Sequence, residues 1–277
     1  YVPDAYFENY LESNGMGNGI PNDEYVTTAN INNVTYLDVS NQFISDLTGI
    51  EDFTALEILD CPKNNLSSLD LSANLLLFSL SAAENQLIFL NVSNNINLKN
   101  LDCEDNQMTF LDVSNNTNLE ELGCDYNQLT SLDVSNNINL DNLFCSQNNI
   151  TELDLSQCLV LEKLECLSNQ LVCLNLKNGS WDASVDATNN PQLNCVEVDS
   201  IGFFNSDPFN YLNFDVNVSF NTSCNNNCST TSIQAHTSNK ELLKVTDILG
   251  REVNEKRNTP LFYIYDDGTV EKKINIE

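Results

Sequence analysis

The chain has 277 residues and a formal charge of −29, from 40 acidic and 11 basic residues. This acidity argues against nucleic acid or an anionic membrane as partner, and it favours a cationic, metal-bridged or neutral sugar-like ligand. No apolar run approaches the ~20 residues of a membrane span, and no signal peptide is recognisable, so we expect a cytosolic protein or a numbering that begins after processing.

Residues 1–35 are predicted to form an N-terminal cap. The segment Pro3–Glu12 has Asp4 near its start and Phe7 and Leu11 on one face, which is typical of a short capping helix. The loop Asn14–Glu24 resembles an EF-hand calcium loop only faintly, and its Gly, Asn and Asp residues favour a plain turn.

Residues 36–199 repeat with a period of 21, after a first copy of 22, and near the end Leu193, Val196 and Val198 are displaced by one residue. A leucine column defines the repeat and consists of Leu59, Leu80, Leu101, Leu122, Leu143 and Leu164. A second column contains Cys61, Ala82, Cys103, Cys124, Cys145 and Cys166, and a third contains Asn64, Asn85, Asn106, Asn127, Asn148 and Asn169. The alternation within each copy predicts a short strand with leucine and cysteine pointing inward.

These columns resemble the leucine-rich repeat very closely, with cysteine in place of the usual third leucine. The resemblance implies a mainly β, right-handed solenoid of about eight coils, with a parallel sheet on its concave face. The cysteines of the column are predicted to be reduced, inert core residues. The asparagines are predicted to form a structural ladder that bonds the backbone of their own and neighbouring coils.

Two further columns lie in the second half of the repeat. One contains Asp70, Asn91, Asp112, Asp133, Asp154 and Asn175, and the other contains Ser72, Ser93, Ser114, Ser135 and Ser156. Turn chemistry is the simplest explanation, because these side chains accept hydrogen bonds from nearby backbone amides. A ladder of calcium ions is the alternative.

The outward positions of the repeat supply the candidate binding site on the concave face. They are Asp60, Glu84, Asp102, Glu104, Asp105, Glu121, Asp125, Tyr126, Phe144, Glu165 and Leu167. Aromatic rings beside carboxylates suit sugars, whereas clustered carboxylates suit a basic peptide or calcium, for which Asp102, Glu104, Asp105 and Asp125 are the candidate ligands. Scattered surface acids on an acidic protein are the alternative interpretation.

Residues 200–230 are predicted to cap the other end of the solenoid. Cys195 is expected to form a disulfide with Cys224 or Cys228, and Cys173 is a competing partner. Such a bridge indicates an oxidising, extracytoplasmic compartment.

The opening VPDAYF (Val2–Phe7), the SNNxNLxxLxC repeats and the closing NNPQLNCVEVD (Asn189–Asp199) together resemble secreted flavobacterial leucine-rich-repeat proteins. That resemblance covers residues 1–228 and implies a binding or adhesion module at the cell surface or in the medium, towards cell-surface proteins, glycans or polysaccharide.

The end of the chain differs in charge, since residues 231–277 carry eight acidic and seven basic residues. After a linker over 231–239, residues 240–277 include KELLKVTDILGRE (Lys240–Glu252) and are similar to the sorting signal of the type IX secretion system. This similarity implies passage through that machinery to the outer surface of a Gram-negative bacterium. The residues themselves predict strands around a Leu-Gly-Arg turn and a hairpin with the loop Asp266-Asp267-Gly268, and an ordinary small β module is the alternative.

Catalysis is not expected. The single histidine, His236, lies in the linker, so neither a histidine-dependent triad nor a histidine-containing metal site is expected in the body. No phosphate-binding glycine motif is present in the sequence. The predicted function is non-enzymatic binding, with calcium as an optional aid. The alternatives are an accessory hydrolase that acts on extracellular polysaccharide and a purely structural coat protein.

Overall fold

The computed structural model describes residues 1–179, 183–201 and 212–224, and the backbone of 242–246, 260–265 and 270–274. Within these residues the chain winds into a parallel β-solenoid. No helix in the described part is both long and apolar enough to cross a membrane.

A helix covers the N-terminal end of the solenoid, as the sequence predicts. Helix α1 (Ala5–Ser13) begins at Asp4, whose Oδ1 accepts hydrogen bonds from the backbone N–H of Tyr6 and Phe7 at 2.9 and 3.0 Å. Its Oδ2 accepts two more from the backbone N–H and Oγ of Ser45, both at 2.8 Å. One carboxylate thus caps the helix and ties it to the first coil. A one-turn helix, α2 (Thr28–Ile31), follows.

Nine short parallel strands form the first sheet. They are β1 (Tyr36–Asp38), β2 (Ile58–Asp60), β3 (Ser79–Ser81), β4 (Asn100–Asp102), β5 (Glu121–Gly123), β6 (Asn142–Phe144), β8 (Lys163–Glu165), β10 (Ser184–Asp186) and β12 (Leu212–Asn213). Leu37 pairs with Leu59, 22 residues on, and Leu59 pairs with Leu80, 21 residues on. The predicted period therefore sets the strand register.

A second parallel sheet forms on the other side of the later coils. It contains β7 (Glu152–Asp154), β9 (Cys173–Leu176), β11 (Cys195–Val198) and β13 (Ser219–Asn221). Leu174 pairs with Val196, so the one-residue displacement seen in the sequence falls between these two strands. Strands β12 and β13 extend both sheets into the segment assigned to the C-terminal cap. A 3-10 turn, η1 (Ile50–Asp52), lies in the first coil.

The core lies between the two sides of the coil and is filled by the repeat columns. The leucine column is at most 1% exposed, and the thiols of Cys61, Cys103, Cys124, Cys145 and Cys166 are free and fully buried. Burial raises the pKa of each of these thiols above its ordinary value, and nearby acids add to the effect. They pack as small hydrophobes.

The predicted asparagine ladder is present. Asn127 donates through Nδ2 to the carbonyls of Cys103, Cys124 and Asp125 at 3.0, 3.2 and 3.1 Å, and its Oδ1 accepts from the backbone N–H of Met108 at 3.0 Å. One amide therefore joins its own turn to the preceding coil.

A second buried asparagine column was not predicted from the sequence. It contains Asn74, Asn95, Asn116 and Asn137, each 0% exposed. Asn116 donates to the carbonyls of Val92 and Asn95 at 3.0 and 2.9 Å, but no group donates to the Oδ1 atoms of this column. The first ladder therefore uses both the amide nitrogen and the amide oxygen in hydrogen bonds, whereas the second uses only the nitrogen.

The aspartate column has the predicted turn chemistry, in which the serine column takes part through its backbone N–H groups rather than its side chains. The Oδ1 atoms of Asp70, Asp112, Asp133 and Asp154 accept from the backbone N–H two residues later, at 2.9 to 3.0 Å. No group of three or more His, Cys, Asp or Glu side chains in the described residues is arranged to hold a metal ion. This holds for the loop Asn14–Glu24 too, where Asp23 accepts from the backbone of Tyr25.

The C-terminal coils carry a disulfide between Cys195 and Cys224, one of the two partners considered for Cys195. Cys173, the competing partner, is itself disulfide-bonded. Cys228 lies outside the described residues, as does the linker with His236.

The tail contains three antiparallel strands, β14 (Leu242–Thr246), β15 (Pro260–Tyr265) and β16 (Val270–Ile274), in the order β14-β15-β16. Strands β15 and β16 form the predicted hairpin. Its loop, Asp266-Asp267-Gly268, and the Leu-Gly-Arg turn lie outside the described residues.

Candidate functional site

The outward side chains of the first sheet form three adjacent columns because each strand alternates and neighbouring strands are in register. The first runs through Ser79, Asn100, Glu121, Asn142 and Lys163, and the second through Ser81, Asp102, Gly123, Phe144 and Glu165. The third, just beyond the strands, includes Glu104 and Asp125.

Gly123 interrupts the second column and leaves an open depression of about 460 Å³. This Gly123 depression is lined by Ser79, Leu80, Ser81, Asn100, Leu101, Asp102, Glu104, Glu121, Gly123, Asp125, Phe144, Lys163 and Glu165. A Cβ on residue 123 would lie 3.3 Å from Oδ1 of Asp102, so a larger residue would displace that carboxylate. The missing side chain therefore creates the space.

The depression gathers six of the predicted site residues: Asp102, Glu104, Glu121, Asp125, Phe144 and Glu165. The other predicted residues lie outside its lining. Asp60 lies three coils before Gly123, and Leu167 lies two coils after it. Glu84, Asp105 and Tyr126 have φ between 50° and 51°, in the left-handed region. At these residues the chain leaves the strand and turns, so their side chains sit at the rim of the sheet.

Asp125 was predicted to face outward, but it is only 9% exposed. Its Oδ1 accepts a short hydrogen bond from the backbone N–H of Ser146 in the next coil. Burial raises the pKa of Asp125, the Ser146 hydrogen bonds oppose this shift, and the carboxylates of Glu165 and Asp102 add to it. Asp125 is therefore a wall of the depression rather than a free surface acid.

Glu104 lies beside Asp125 on the third column. Burial raises the pKa of Glu104, and the negative charges of Asp102, Asp125 and Glu84 raise it further. The carboxylate of Asp102 is stabilised by a hydrogen bond, because its Oδ2 accepts from Oγ of Ser81 at 3.0 Å. The acids thus carry an excess of negative charge that the protein compensates only in part.

Lys163 is the single basic residue in the lining, and the sequence did not point to it. Its Nζ lies 2.8 Å from Oε1 of Glu165 and 4.9 Å from the ring centroid of Phe144. It covers one side of the aromatic ring and pairs with one of five carboxylates. The other four, Asp102, Glu104, Glu121 and Asp125, have no basic partner among the lining residues.

The four candidate calcium ligands are not assembled into a metal site. Asp105 lies at a rim turn, outside the depression, and the described residues contain no cluster of three suitable ligands. What the arrangement offers instead is a half-enclosed negative surface with one aromatic wall. Such a surface suits a positively charged organic group, which can pair with several carboxylates at once.

No family model and no curated protein matches the chain. Among solved structures it is similar to internalin C2 from Listeria monocytogenes, with 19% identity and a TM-score of 0.61 over 79% of this chain and 94% of that one. It is also similar to the functional domain of InlJ from the same organism, which includes a cysteine ladder. There the identity is 28% and the TM-score 0.45 over 72% of this chain and 56% of that one, so this chain spans little more than half of that length.

A third similar structure is an internalin, InlF, from Listeria monocytogenes, with 18% identity and a TM-score of 0.43 over 80% of this chain and 77% of that one. At these identities the likeness concerns the fold. Together with the 21-residue period and the register of the strands, the likeness to internalin C2 shows that the body of this chain is a leucine-rich-repeat solenoid.

Proposed function

We propose that this chain is a secreted or surface-exposed binding protein whose Gly123 depression receives a basic side chain of a partner protein. The observation that carries this proposal is the convergence of five carboxylates and Phe144 around the gap at Gly123, with Lys163 as the one basic residue among them. Burial raises the pKa of Glu104 and Asp125 and neighbouring carboxylates raise it further, so an arginine or lysine that entered the gap would favour the charged forms of both acids.

The extracellular location rests on the disulfide between Cys195 and Cys224, since disulfides persist in oxidising compartments. It also rests on the tail, for which we propose the export role that its sequence similarity implies. A reporter fused to residues 240–277 should reach the surface or the medium in a host that has a type IX secretion system. Retention of the fusion inside that host would reject the export role.

Binding is tested with immobilised basic peptides that carry arginine or lysine at one position, with alanine peptides as the reference. We expect Gly123→Leu and Glu104→Gln to weaken binding about tenfold or more, because each removes space or charge from the depression. Glu152→Gln is the matched control, since Glu152 is exposed on β7 in the other sheet. Equal binding by all variants would reject this surface as the contact.

The ionic strength gives a second readout. Contacts between partly exposed charges are screened by salt, so affinity for the basic peptide should fall as salt rises. Affinity for a neutral glycan would not change in this way, and salt-independent binding to polysaccharide would identify a sugar ligand instead. Binding that disappears with a chelator would identify a calcium-mediated contact.

A second candidate function is hydrolysis of extracellular polysaccharide. The observation in its favour is Asp125, a buried carboxyl with a raised pKa, which is the property that a general acid needs. Turnover of a glycan by the natural chain that is abolished by Asp125→Asn would favour the enzyme. A chain with neither ligand nor turnover would leave the structural coat role.

A further inference from the structure

A ridge of exposed apolar side chains follows the turn that leads into the first sheet. In four coils its members are Leu75, Ile96, Ile138 and Leu159, which are 53% to 63% exposed, and the middle coil has Thr117 at the same position. Leu76 and Val160 extend the two ends and are 50% and 52% exposed. These seven residues are called the apolar ridge.

The backbone of the ridge is fixed by its own asparagine ladder. The Nδ2 atoms of Asn97, Asn118 and Asn139 donate to the carbonyls of Leu75, Ile96 and Thr117 at 3.0, 3.0 and 3.2 Å. Successive ridge residues are therefore held one coil apart, at a spacing of ~4.8 Å. The ridge is a pre-organised line of aliphatic groups.

The ridge is also the uncharged edge of a very acidic molecule. The five six-residue segments that carry it, 72–77, 93–98, 114–119, 135–140 and 156–161, contain no Asp, Glu, Lys or Arg, although the chain has a net charge of −29. A basic partner would bind more favourably elsewhere on the surface. Another copy of this acidic chain, in contrast, can contact this edge with few carboxylates nearby, and the central one, Glu120, is paired with Lys99 of its own chain.

The order of residues along the ridge is the same in both directions. Read from either end, it runs aliphatic, Ile, Thr, Ile, aliphatic, with Thr117 at the centre. A two-fold axis at Thr117, perpendicular to the solenoid, would place Ile96 of one copy against Ile138 of the second copy, and Leu75 against Leu159. Self-complementarity of this kind is what a two-fold interface requires.

The neighbouring column fits the same axis. Lys99 and Asp141 lie one coil before and one coil after Glu120, so the axis would set Lys99 of one copy against Asp141 of the other, twice. Glu120, at the centre, is already paired with Lys99 at 2.6 Å in its own chain. A parallel arrangement would not bring Lys99 and Asp141 together.

We infer that the chain forms an antiparallel homodimer through the apolar ridge. The six aliphatic side chains, at about half exposure, present on the order of 500 Å² of apolar surface, against ~800 Å² per partner in a standard stable interface. The dimer should therefore be reversible, with a dissociation constant in the micromolar range. The ridge is separate from the Gly123 depression, so the dimer presents two such depressions.

Sedimentation velocity of the full chain, from about 1 to 100 micromolar, tests the dimer. Ile96→Asp and Ile138→Asp should each raise the dissociation constant more than tenfold. Ile88→Asp is the matched control, because Ile88 is 37% exposed but lies off the ridge. A chain that stays monomeric over this range, or a dimer that Ile96→Asp leaves intact, would overturn the inference.

Cysteine pairing tests the antiparallel direction. Ile96→Cys mixed with Ile138→Cys should give an oxidised heterodimer, whereas each alone should cross-link poorly, since in the antiparallel dimer the two copies of either position lie two coils apart. Thr117→Cys should cross-link to itself. Efficient self-pairing of Ile96→Cys would show a parallel dimer, and loss of binding to another protein by ridge variants of a monomeric chain would show a different occupant. Both results would overturn the inference.

Discussion

The two buried asparagine ladders should differ sharply in their sensitivity to substitution. The informative pair is Asn127→Cys and Asn116→Cys, two changes in adjacent middle coils that replace an amide with a smaller thiol. Asn127 uses both ends of its amide, since it donates to three carbonyls and accepts from the N–H of Met108. Asn116 uses only its Nδ2, because its Oδ1 is buried without a partner.

The magnitude follows from these bonds. Asn127→Cys leaves the buried N–H of Met108 without its acceptor, at a cost of about 2 kcal/mol, and removes three donor contacts that together add about 1–3 kcal/mol. Asn116→Cys removes two donor contacts, at about 1 kcal/mol each, but it also removes an oxygen whose burial without a partner costs about 1–3 kcal/mol. We expect a loss of about 3–5 kcal/mol for the first variant and at most about 1 kcal/mol for the second.

The chain already contains a natural version of the second change. Cys158 occupies the position that follows Asn137 in the same column, 21 residues on, and it is buried there. By contrast, the other ladder has asparagine at each position from Asn64 to Asn190.

Urea unfolding, followed by far-UV circular dichroism, measures both variants against the natural chain. Because both substitutions lie in the middle of the array, fraying of the end coils affects them equally. Equal losses within about 0.5 kcal/mol, or a greater loss for Asn116→Cys, would refute the claim that hydrogen-bond satisfaction decides the cost.

Three further outcomes are expected. Burial acts to raise the pKa of Asp4, but hydrogen bonds from Ser45, Phe7 and Tyr6 lower it overall, so the ionised carboxylate stabilises the fold above about pH 4 and this effect is lost on further acidification. Asp4→Asn should therefore lower the melting temperature at neutral pH and flatten the decline of the melting temperature between about pH 5 and 2. Replacing Cys195 and Cys224 by serine should cost about 3 kcal/mol for a bridge that spans 29 residues, and the loss should show as early unfolding of the C-terminal coils in hydrogen exchange. Burial raises the pKa of the Cys158 thiol to about 12, and the five column thiols are fully buried, so mass spectrometry after iodoacetamide treatment should find these six labelled only after unfolding; labelling of the native chain would contradict their place in the core.

Sequence periodicity predicts the solenoid well because inward packing has a fixed chemical signature. Leu101 and Cys103 recur at one spacing, and a one-residue shift would turn both to solvent, so their pattern specifies strand, register and core together. The one-residue displacement near Val196 is also visible in the sequence, since a shift in the apolar column can only be a shift in the coil.

The second asparagine ladder shows where periodicity fails. Asn94, Asn95 and Asn97 stand almost side by side in one turn, and each belongs to a 21-residue column, yet only Asn95 is buried. Nothing in the residue type distinguishes an amide that bridges two coils inside from one that bridges them outside. The distinction depends on how the turn folds over the core.

The positions of the residues with positive φ at the rim of the sheet were also missed because they depend on how the turn folds. Alternation along a strand would place Glu84 and Tyr126 near the acids of the sheet face. The strands, however, end earlier, and the backbone changes to φ near 50° at these residues. Asparagine and glycine are the usual signs of that conformation. Here Lys63, Glu84, Asp105 and Tyr126 adopt it because the coil on each side fixes the turn.

The Gly123 depression depends on a residue that contributes no side chain, which is why a list of candidate ligands missed it. Lined up by column, Asp102, Gly123 and Phe144 show a gap between an acid and a ring, and this could be read from the sequence once the strand register is known. The burial of Asp125 could not be read from the sequence, because this burial follows from the hydrogen bond that Asp125 accepts from Ser146 in the next coil. A face that keeps partly buried acids together in this way loses stability to their repulsion. A cation that binds there must therefore raise the stability of the folded chain, which makes thermal shift with arginine-containing peptides a direct measure of occupancy.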